Sequence, residues 1–313
     1  MEFPLAGACR LTDRGVIRAA GVDAATFLQG QLTNDVLSLD SEHARLAGFC
    51  SAKGRLQASF VVWRAGAEEL LLACPASVLA PTLKRLSMFV LRAKCRLTDA
   101  SGEIHLWGLA GPPAEALFGD LPPWGRREQA GTGTVIRLPD AAGVRRALVA
   151  ASAQAIPAVA ATPALGLDAW RWLEVQSGIV AIESETVDRF VPQMVNFERV
   201  GGVDFQKGCY PGQEVVARSQ YRGTTKRRTF LFDAEVVPQP GQDVFASDDG
   251  GEAAGTVANA APRPDGRGGS ALVELRLAAL GSASLHLGAP DGPLLHRAEL
   301  PYPLGLETGQ PAN

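Results

Sequence analysis

Between residues 45 and 73 the chain places three strand-like runs almost end to end. Residues 45–51, 56–64 and 69–73 are rich in apolar positions, and only Ala52-Lys53-Gly54 and a few further residues separate them. Parallel strands need a crossover of about a dozen residues or more, whereas antiparallel neighbours need only a tight turn. Links this short therefore argue for antiparallel pairing. Because helical segments are interspersed with such strands, the expected class is α+β rather than a doubly wound parallel sheet.

The same pattern extends along the chain. Residues 14–20 alternate as a strand, and Asp23 is placed to cap a short helix carrying Phe27 and Leu28. Gly30 weakens that helix, so a loop is expected near residues 33–35. Leu79, Leu83 and Leu86 predict a helix over 76–89 despite Pro81, followed by strands at 90–98 and 104–109. Residues 110–130 are rich in proline and glycine and read as loops holding one short helix. Strands are expected at 134–138 and 145–150, and a helical or loose segment at 151–162. A further helix spans 167–178, with Trp170, Leu173 and Gln176 on one side and Gly178 as its stop.

After Gly223 the composition changes. TFLFDAEVV, QPGQDVF, GTVANAA and SALVELRL alternate with turn residues, which predicts a small β-barrel or sandwich. At 313 residues two domains are the natural expectation. We place the boundary near Thr224, giving domains 1–224 and 225–313, and expect disorder after Glu307.

Net charge is −3, so the chain as a whole is no nucleic-acid polycation. No apolar run approaches the roughly 20 residues that cross a bilayer, and the start, MEFPLAGACRLTDRG, does not read as a secretory signal. The five cysteines, Cys9, Cys50, Cys74, Cys95 and Cys209, are widely spaced and odd in number. They predict reduced thiols in a cytoplasm. Without C-x-x-C or H-x-x-x-H spacing, no structural zinc and no four-cysteine iron–sulfur cluster is expected.

One thiol stands apart. Lys207-Gly208-Cys209-Tyr210-Pro211-Gly212-Gln213-Glu214 sets a cysteine among glycines, a proline and a lysine. Pro211 suits the first turn of a helix and Glu214 its positive end, which would put Cys209 at the helix mouth. Free N–H groups and the Lys207 ammonium would both favour a thiolate there. Gly208 and Gly212 would let another molecule approach. A plainer explanation stands beside this one, since cysteine is commonly buried and glycines commonly just turn the chain. The sequence places no histidine nearby for a Cys–His pair and no second local cysteine for a dithiol.

KGCYPGQEVVAR resembles the defining motif of the YgfZ family of folate-binding proteins, relatives of the glycine-cleavage T-protein (an aminomethyltransferase). FLQGQLTNDV at 27–36, CSAKGRL at 50–56, FVPQMVNFERVGGVDFQKGCYPGQE at 190–214 and the later GTVANAA and ALVELRL extend the likeness. The resemblance implies a folate-binding α+β core around a central channel, followed by a small β-barrel. It implies tetrahydrofolate as cofactor and a role in assembling or repairing iron–sulfur proteins, a tRNA methylthiolase among them. Lys207 and Cys209 match the motif lysine and cysteine. Trp170 corresponds to a folate-associated tryptophan, Gln176 takes the place of the T-protein glutamate that pairs with the pterin, and Asn34 lies in a segment bordering the pocket. Arg14 stands where the family has another tryptophan. The acidic pair of the T-protein is replaced by Gln57 and Ala58, so aminomethyl transfer would lack its carboxylate. The basic residues Arg218, Arg222, Lys226, Arg227 and Arg228 would meet a folate glutamate tail or an acidic partner, or simply face solvent. The expected protein is a cytoplasmic, monomeric accessory factor with no direct nucleic-acid or membrane contact. A one-carbon transferase and a non-catalytic folate scaffold are the alternatives.

Overall fold

The computed structural model describes residues 5–154, 158–221, 225–247 and 251–305. The expected boundary at Thr224 and the tail after Glu307 lie outside these residues. In chain order the first part comprises β1 (Gly7–Arg10), β2 (Arg14–Ala20), α1 (Ala24–Gln29), β3 (Ala44–Cys50), β4 (Leu56–Gly66), β5 (Glu69–Pro75), α2 (Ala76–Ser87) and β6 (Arg96–Asp99). There follow β7 (Ile104–Ala110), α3 (Pro112–Phe118), β8 (Arg126–Gln129), β9 (Gly133–Ala141), β10 (Val144–Ser152), α4 (Leu167–Gln176) and α5 (Gln213–Tyr221). The last part holds β11 (Arg227–Ala234), β12 (Asp243–Ala246), β13 (Ala253–Pro262), β14 (Gly269–Arg276), β15 (Leu285–Leu287) and β16 (His296–Ala298).

These strands form three sheets, ordered β3-β4-β5-β2-β6, β1-β7-β10-β9-β8 and β15-β12-β13-β14-β11-β16. Every ladder within them is antiparallel, as the short links require. The first two sheets share a core in which Val16, Trp63 and Leu71 meet Leu106, Ile136 and Leu148. Helix α4 closes that core with Trp170 and Leu173.

The third sheet is curled and closes on itself. The Leu287 amide donates to Pro293 O and the Leu295 amide to Leu285 O, each at 2.9 Å, joining β15 to the segment that leads into β16. Alternation sorts its side chains. Phe230 and Phe232 of β11 and Val273 and Leu275 of β14 fill the barrel, while Leu231 and Leu272 point the other way, toward the rest of the molecule. Trp172 of α4 ties the barrel on by donating from Nε1 to Ser270 Oγ at 2.9 Å.

Several local expectations need correcting. Asp23 sits at the N-cap of α1 but makes no capping bond; its carboxylate instead accepts from the Lys94 amide at 2.7 Å. Residues 90–95 are turns, and the strand after α2 is only β6. Leu91 has φ +41 and is 89% exposed, so this apolar run finds no ladder. The short strands β1, β8, β15 and β16 carry no apolar run long enough to be read as strands. The segment at 151–162 contains the end of β10 and one 3₁₀ turn, Ala158–Ala161; residues 155–157 lie outside the described residues. No helix among the described residues is long and apolar enough to cross a membrane.

Candidate functional site: a clamped thiol and an interior cavity

The KGCYPGQE segment is held from three sides. Asp204 Oδ1 accepts from the amides of Gln206 and Lys207 at 2.7 and 3.2 Å, which shapes the turn before the motif. The Lys207 side chain, 8% exposed, then runs inward. Its Nζ donates to Gln29 O and Leu32 O, carbonyls left free around the end of α1. It also lies 4.9 Å from the centre of the Tyr210 ring. Burial pulls this ammonium down to about 8, although Asp35, Asp204 and Cys209 oppose the shift. Lys207 therefore acts within the structure as a clamp, with its donors directed to the backbone.

Gly212 makes the third attachment. It has φ +79, and a Cβ there would lie 2.4 Å from Ser51 O and 2.6 Å from Gly54 Cα. Gly54, φ +70, faces it in the turn between β3 and β4 and would clash with Val215. Two backbones thus touch where neither tolerates a side chain. This differs from the expectation that Gly212 admits a foreign molecule: it admits the chain's own hairpin. Of the two motif glycines, Gly208 is the one with open space in its Cβ direction. Helix α5 begins at Gln213, after Gly212, so Pro211 lies in the preceding turn rather than in the helix's first turn.

Cys209 is exposed, whereas Cys9, Cys50, Cys74 and Cys95 are buried. Burial pushes Cys50 and Cys74 up to about 12 and Cys9 to about 11, and it raises Cys95 as well. The four buried thiols are packing groups, and Cys209 is the one within reach of solvent.

Neighbouring motif residues serve as scaffolding. Asn34 is buried, and its Nδ2 donates to Leu46 O and Gly201 O at 2.7 Å each; its Oδ1 accepts from the Asp35 amide. Gln193 and Asn196 are fully buried and reach Val216 O and Thr229 O at 2.8 and 2.7 Å. They join the FVPQMVNFE segment to α5 and β11. In the basic stretch, Arg227 pairs with Glu274 and Arg228 with Glu198. Arg218 and Lys226 face solvent, and Arg222 lies outside the described residues.

The second feature is a cavity of about 100 Å³ between the first two sheets and α4. On a scale where about 10–15 Å³ holds one water, it has room for several. Its walls are mostly apolar, with Leu46, Phe60, Leu148, Trp124 and Trp170 among them, while Arg14, Arg146 and Glu174 add charge. Trp170 is 1% exposed. One side of its indole is pressed on Gly108, where a Cβ would come within 2.5 Å of the ring, and Arg146 lies 5.5 Å from the ring centre. Trp170 Nε1 is buried without an acceptor. Arg14 bonds Glu174 at 2.5 Å. Burial would lower the Arg14 guanidinium, but the carboxylates of Glu174 and Asp13 outweigh it and hold it above the usual arginine range.

Of the other expected positions, Gln176 is half-buried at the end of α4 and lines neither this cavity nor its neighbours. Glu174 and Ser177, one and two turns beyond Trp170, line it instead. Gln57 and Ala58 lie on β4, half-buried and fully buried respectively. The cavity adjoins a polar basin of about 620 Å³ through Arg14, Pro75, Glu174, Ile179 and Ala181. On its other side it shares Leu46 and Trp124 with a groove of about 500 Å³ formed by Asn34, Arg45, Asp204, Phe205 and Gln206. That groove ends at Gln206, the residue before the KGCY segment.

Antiparallel sheets gathered around α4, with a closed barrel attached, define the fold class of the glycine-cleavage T-protein. The aminomethyltransferase T of the glycine cleavage system from Bartonella henselae has this fold, with a TM-score of 0.73 at 16% identity, over 94% of this chain and 84% of that one. The GCVT N-terminal domain family matches residues 6–128. In sequence, the chain is 34% identical over 284 residues to the tRNA-modifying protein YgfZ of Edwardsiella ictaluri, covering 82% of this chain and 81% of the relative. It is 31% identical over 257 residues to the tRNA-modifying protein YgfZ of Colwellia psychrerythraea, covering 79% and 76%. The chain belongs to the YgfZ family.

Proposed function

We propose that this protein is a cytoplasmic, tetrahydrofolate-binding accessory factor for iron–sulfur proteins, including enzymes that modify tRNA. The observation that carries the reading is the contrast between Cys209, exposed beside an open Gly208, and four buried cysteines. A sulfur locked in place by Lys207 and Gly212, yet reachable, suits contact with a client protein's sulfur or cluster donor. The expected compartment follows from five unpaired thiols.

Folate is the cofactor that family membership implies. The Trp170 cavity suits a flat ring, because its walls are largely apolar, with Arg14, Arg146 and Glu174 as the charged groups among them. When bound, tetrahydrofolate would supply a carrier for one-carbon groups. The chain's own part is to bury the ring against Trp170 and Phe60 and to keep water from it. A transferase would also need an acid on β4, and Gln57 and Ala58 offer none.

The test is complementation. In cells lacking the native protein, the wild-type chain should restore the activity of an iron–sulfur tRNA-modifying enzyme, and Cys209→Ala should not. Full restoration by Cys209→Ala would rule out an essential thiol.

A further inference from the structure

Arg146 is an unusual residue to find 2% exposed. It lies on β10, two positions before Leu148, and both line the Trp170 cavity. A guanidinium has five N–H donors. Here Nε and Nη2 both go to Pro139 O, at 3.2 and 2.9 Å. No other protein acceptor is bonded to it among the described residues, and no carboxylate lies within ion-pair distance. Burial without a partner carboxylate pulls it down to about 10, although Glu174 and Asp140 act from further off. A buried charge is ordinarily paired because leaving it unpaired is costly. An arginine held by one carbonyl and no carboxylate, close to an indole whose N–H lacks an acceptor, marks a place where a ligand acceptor is expected.

The charge pattern narrows the ligand. Glu174 lines the same cavity and bonds Arg14 through Oε2. A carboxylate-bearing ligand would gain from Arg146 but be repelled by Glu174. A neutral ring with an amide-type edge suits both, its oxygen accepting from Arg146 and its N–H groups donating to Glu174. The apolar walls likewise favour a neutral planar body. Trp170 and Glu174 are four residues apart on α4, so they share a helix face; Gln176 does not lie on it.

We infer that Arg146, Trp170 and Glu174 form the end of the cavity that reads the edge of a pterin, with Glu174 supplying the carboxylate that Gln176 cannot. This rests on the folate reading above and adds the residues and the part of the ligand they recognise. Arg146 takes the ring oxygen, and Trp170 places its indole beside the ring.

Calorimetric titration of the full chain with tetrahydrofolate, with unsubstituted pterin and with p-aminobenzoylglutamate tests it. Arg146→Met is expected to weaken tetrahydrofolate and pterin about tenfold or more, as loss of a hydrogen bond to a charged group implies. It should leave p-aminobenzoylglutamate unchanged, and Gln176→Ala should change all three less than about twofold. Trp170→Phe should identify one indole N–H signal in the NMR spectrum, and that signal should shift when pterin is added to the wild-type protein. This last readout stands even if Arg146→Met fails to fold. If tetrahydrofolate binds the wild type but pterin leaves the indole signal unmoved, or Arg146→Met binds as tightly as the wild type, the assignment is overturned and the folate reading survives. Weakening confined to p-aminobenzoylglutamate would move Arg146 to the tail and overturn the assignment too. Absence of any tetrahydrofolate binding would remove both.

Discussion

The KGCY segment and the Trp170 cavity use their polar side chains differently. Around the motif, Lys207, Asn34 and Asp204 direct their polar atoms to the backbone, and one small group, the Cys209 thiol, is left to solvent. In the cavity, Trp170 Nε1 is buried without an acceptor, and Arg146 is bonded to the Pro139 carbonyl but to no carboxylate. Groups that are fully paired add to stability, whereas groups held unpaired detract from it and point to a ligand. Substitutions should therefore have unlike consequences in the two regions.

The largest loss is expected at Gly212. A side chain at φ +79 is strained by about 1–3 kcal/mol before any clash, and its Cβ would sit 2.4 Å from Ser51 O. Gly212→Ala should lower unfolding free energy by about 3 kcal/mol or more in denaturant titration. A small change would mean that the two turns separate easily and that the motif is not rigidly placed. Next comes Lys207→Met, which leaves two carbonyls without their donor and should cost about 2–4 kcal/mol. Its pH dependence sharpens the assignment. The unfolded lysine keeps its proton to about 10.5 and the folded one releases it from about 8. Between these values the unfolded state binds more protons, so the Lys207-dependent part of stability must rise with pH, and it levels off above 10.5. Comparing wild type with Lys207→Met across that range checks the sign.

On the cavity side Arg146→Met should be neutral or stabilising by about 1–3 kcal/mol, since a buried unpaired charge gives way to an apolar chain of similar length. Marked destabilisation would show that Arg146 is a structural residue and erase the contrast. The smallest effects belong to Cys209→Ala and Gly208→Ala, each within about 0.5 kcal/mol. Mass spectrometry after brief maleimide treatment should find one label on the native wild type, on Cys209, and none on Cys209→Ala. Rapid labelling of Cys50 or Cys74 would contradict the packing described above.

Much of the fold was legible because alternation and short links are local signals. β2, β4, β7 and the barrel strands carry enough apolar residues to show a period of two. β8, Arg126–Gln129, carries none, and its place as an edge strand depends on β9, which the sequence around it does not reveal. The run Val90–Leu91 misled for the converse reason: its residues favour strands, but no neighbour is there to pair with it. Around the motif, the separate character of Cys209 was readable from its glycines and lysine, and the structure finds it exposed. The role of Gly212 was not readable, because its partner Gly54 lies far away in sequence. Arg146 was missed, although a signal existed. In VRRALVAA it falls in phase with Leu148 and Ala150, on the face that turns to the core, and an arginine in phase with core residues is a cue to look for a ligand or a partner. Glu174 was likewise available from its four-residue spacing to Trp170, but the family correspondence drew attention to Gln176.

The meeting of Gly54 and Gly212 also bears on when the protein becomes competent. Most of the α+β portion of the chain lies between these two residues, so the entropy of closing that long loop must be offset before they can touch. Nascent or partly collapsed chains cannot present the sulfur in its final setting. The exposed setting of Cys209 is thereby made conditional on completed assembly of the surrounding sheets.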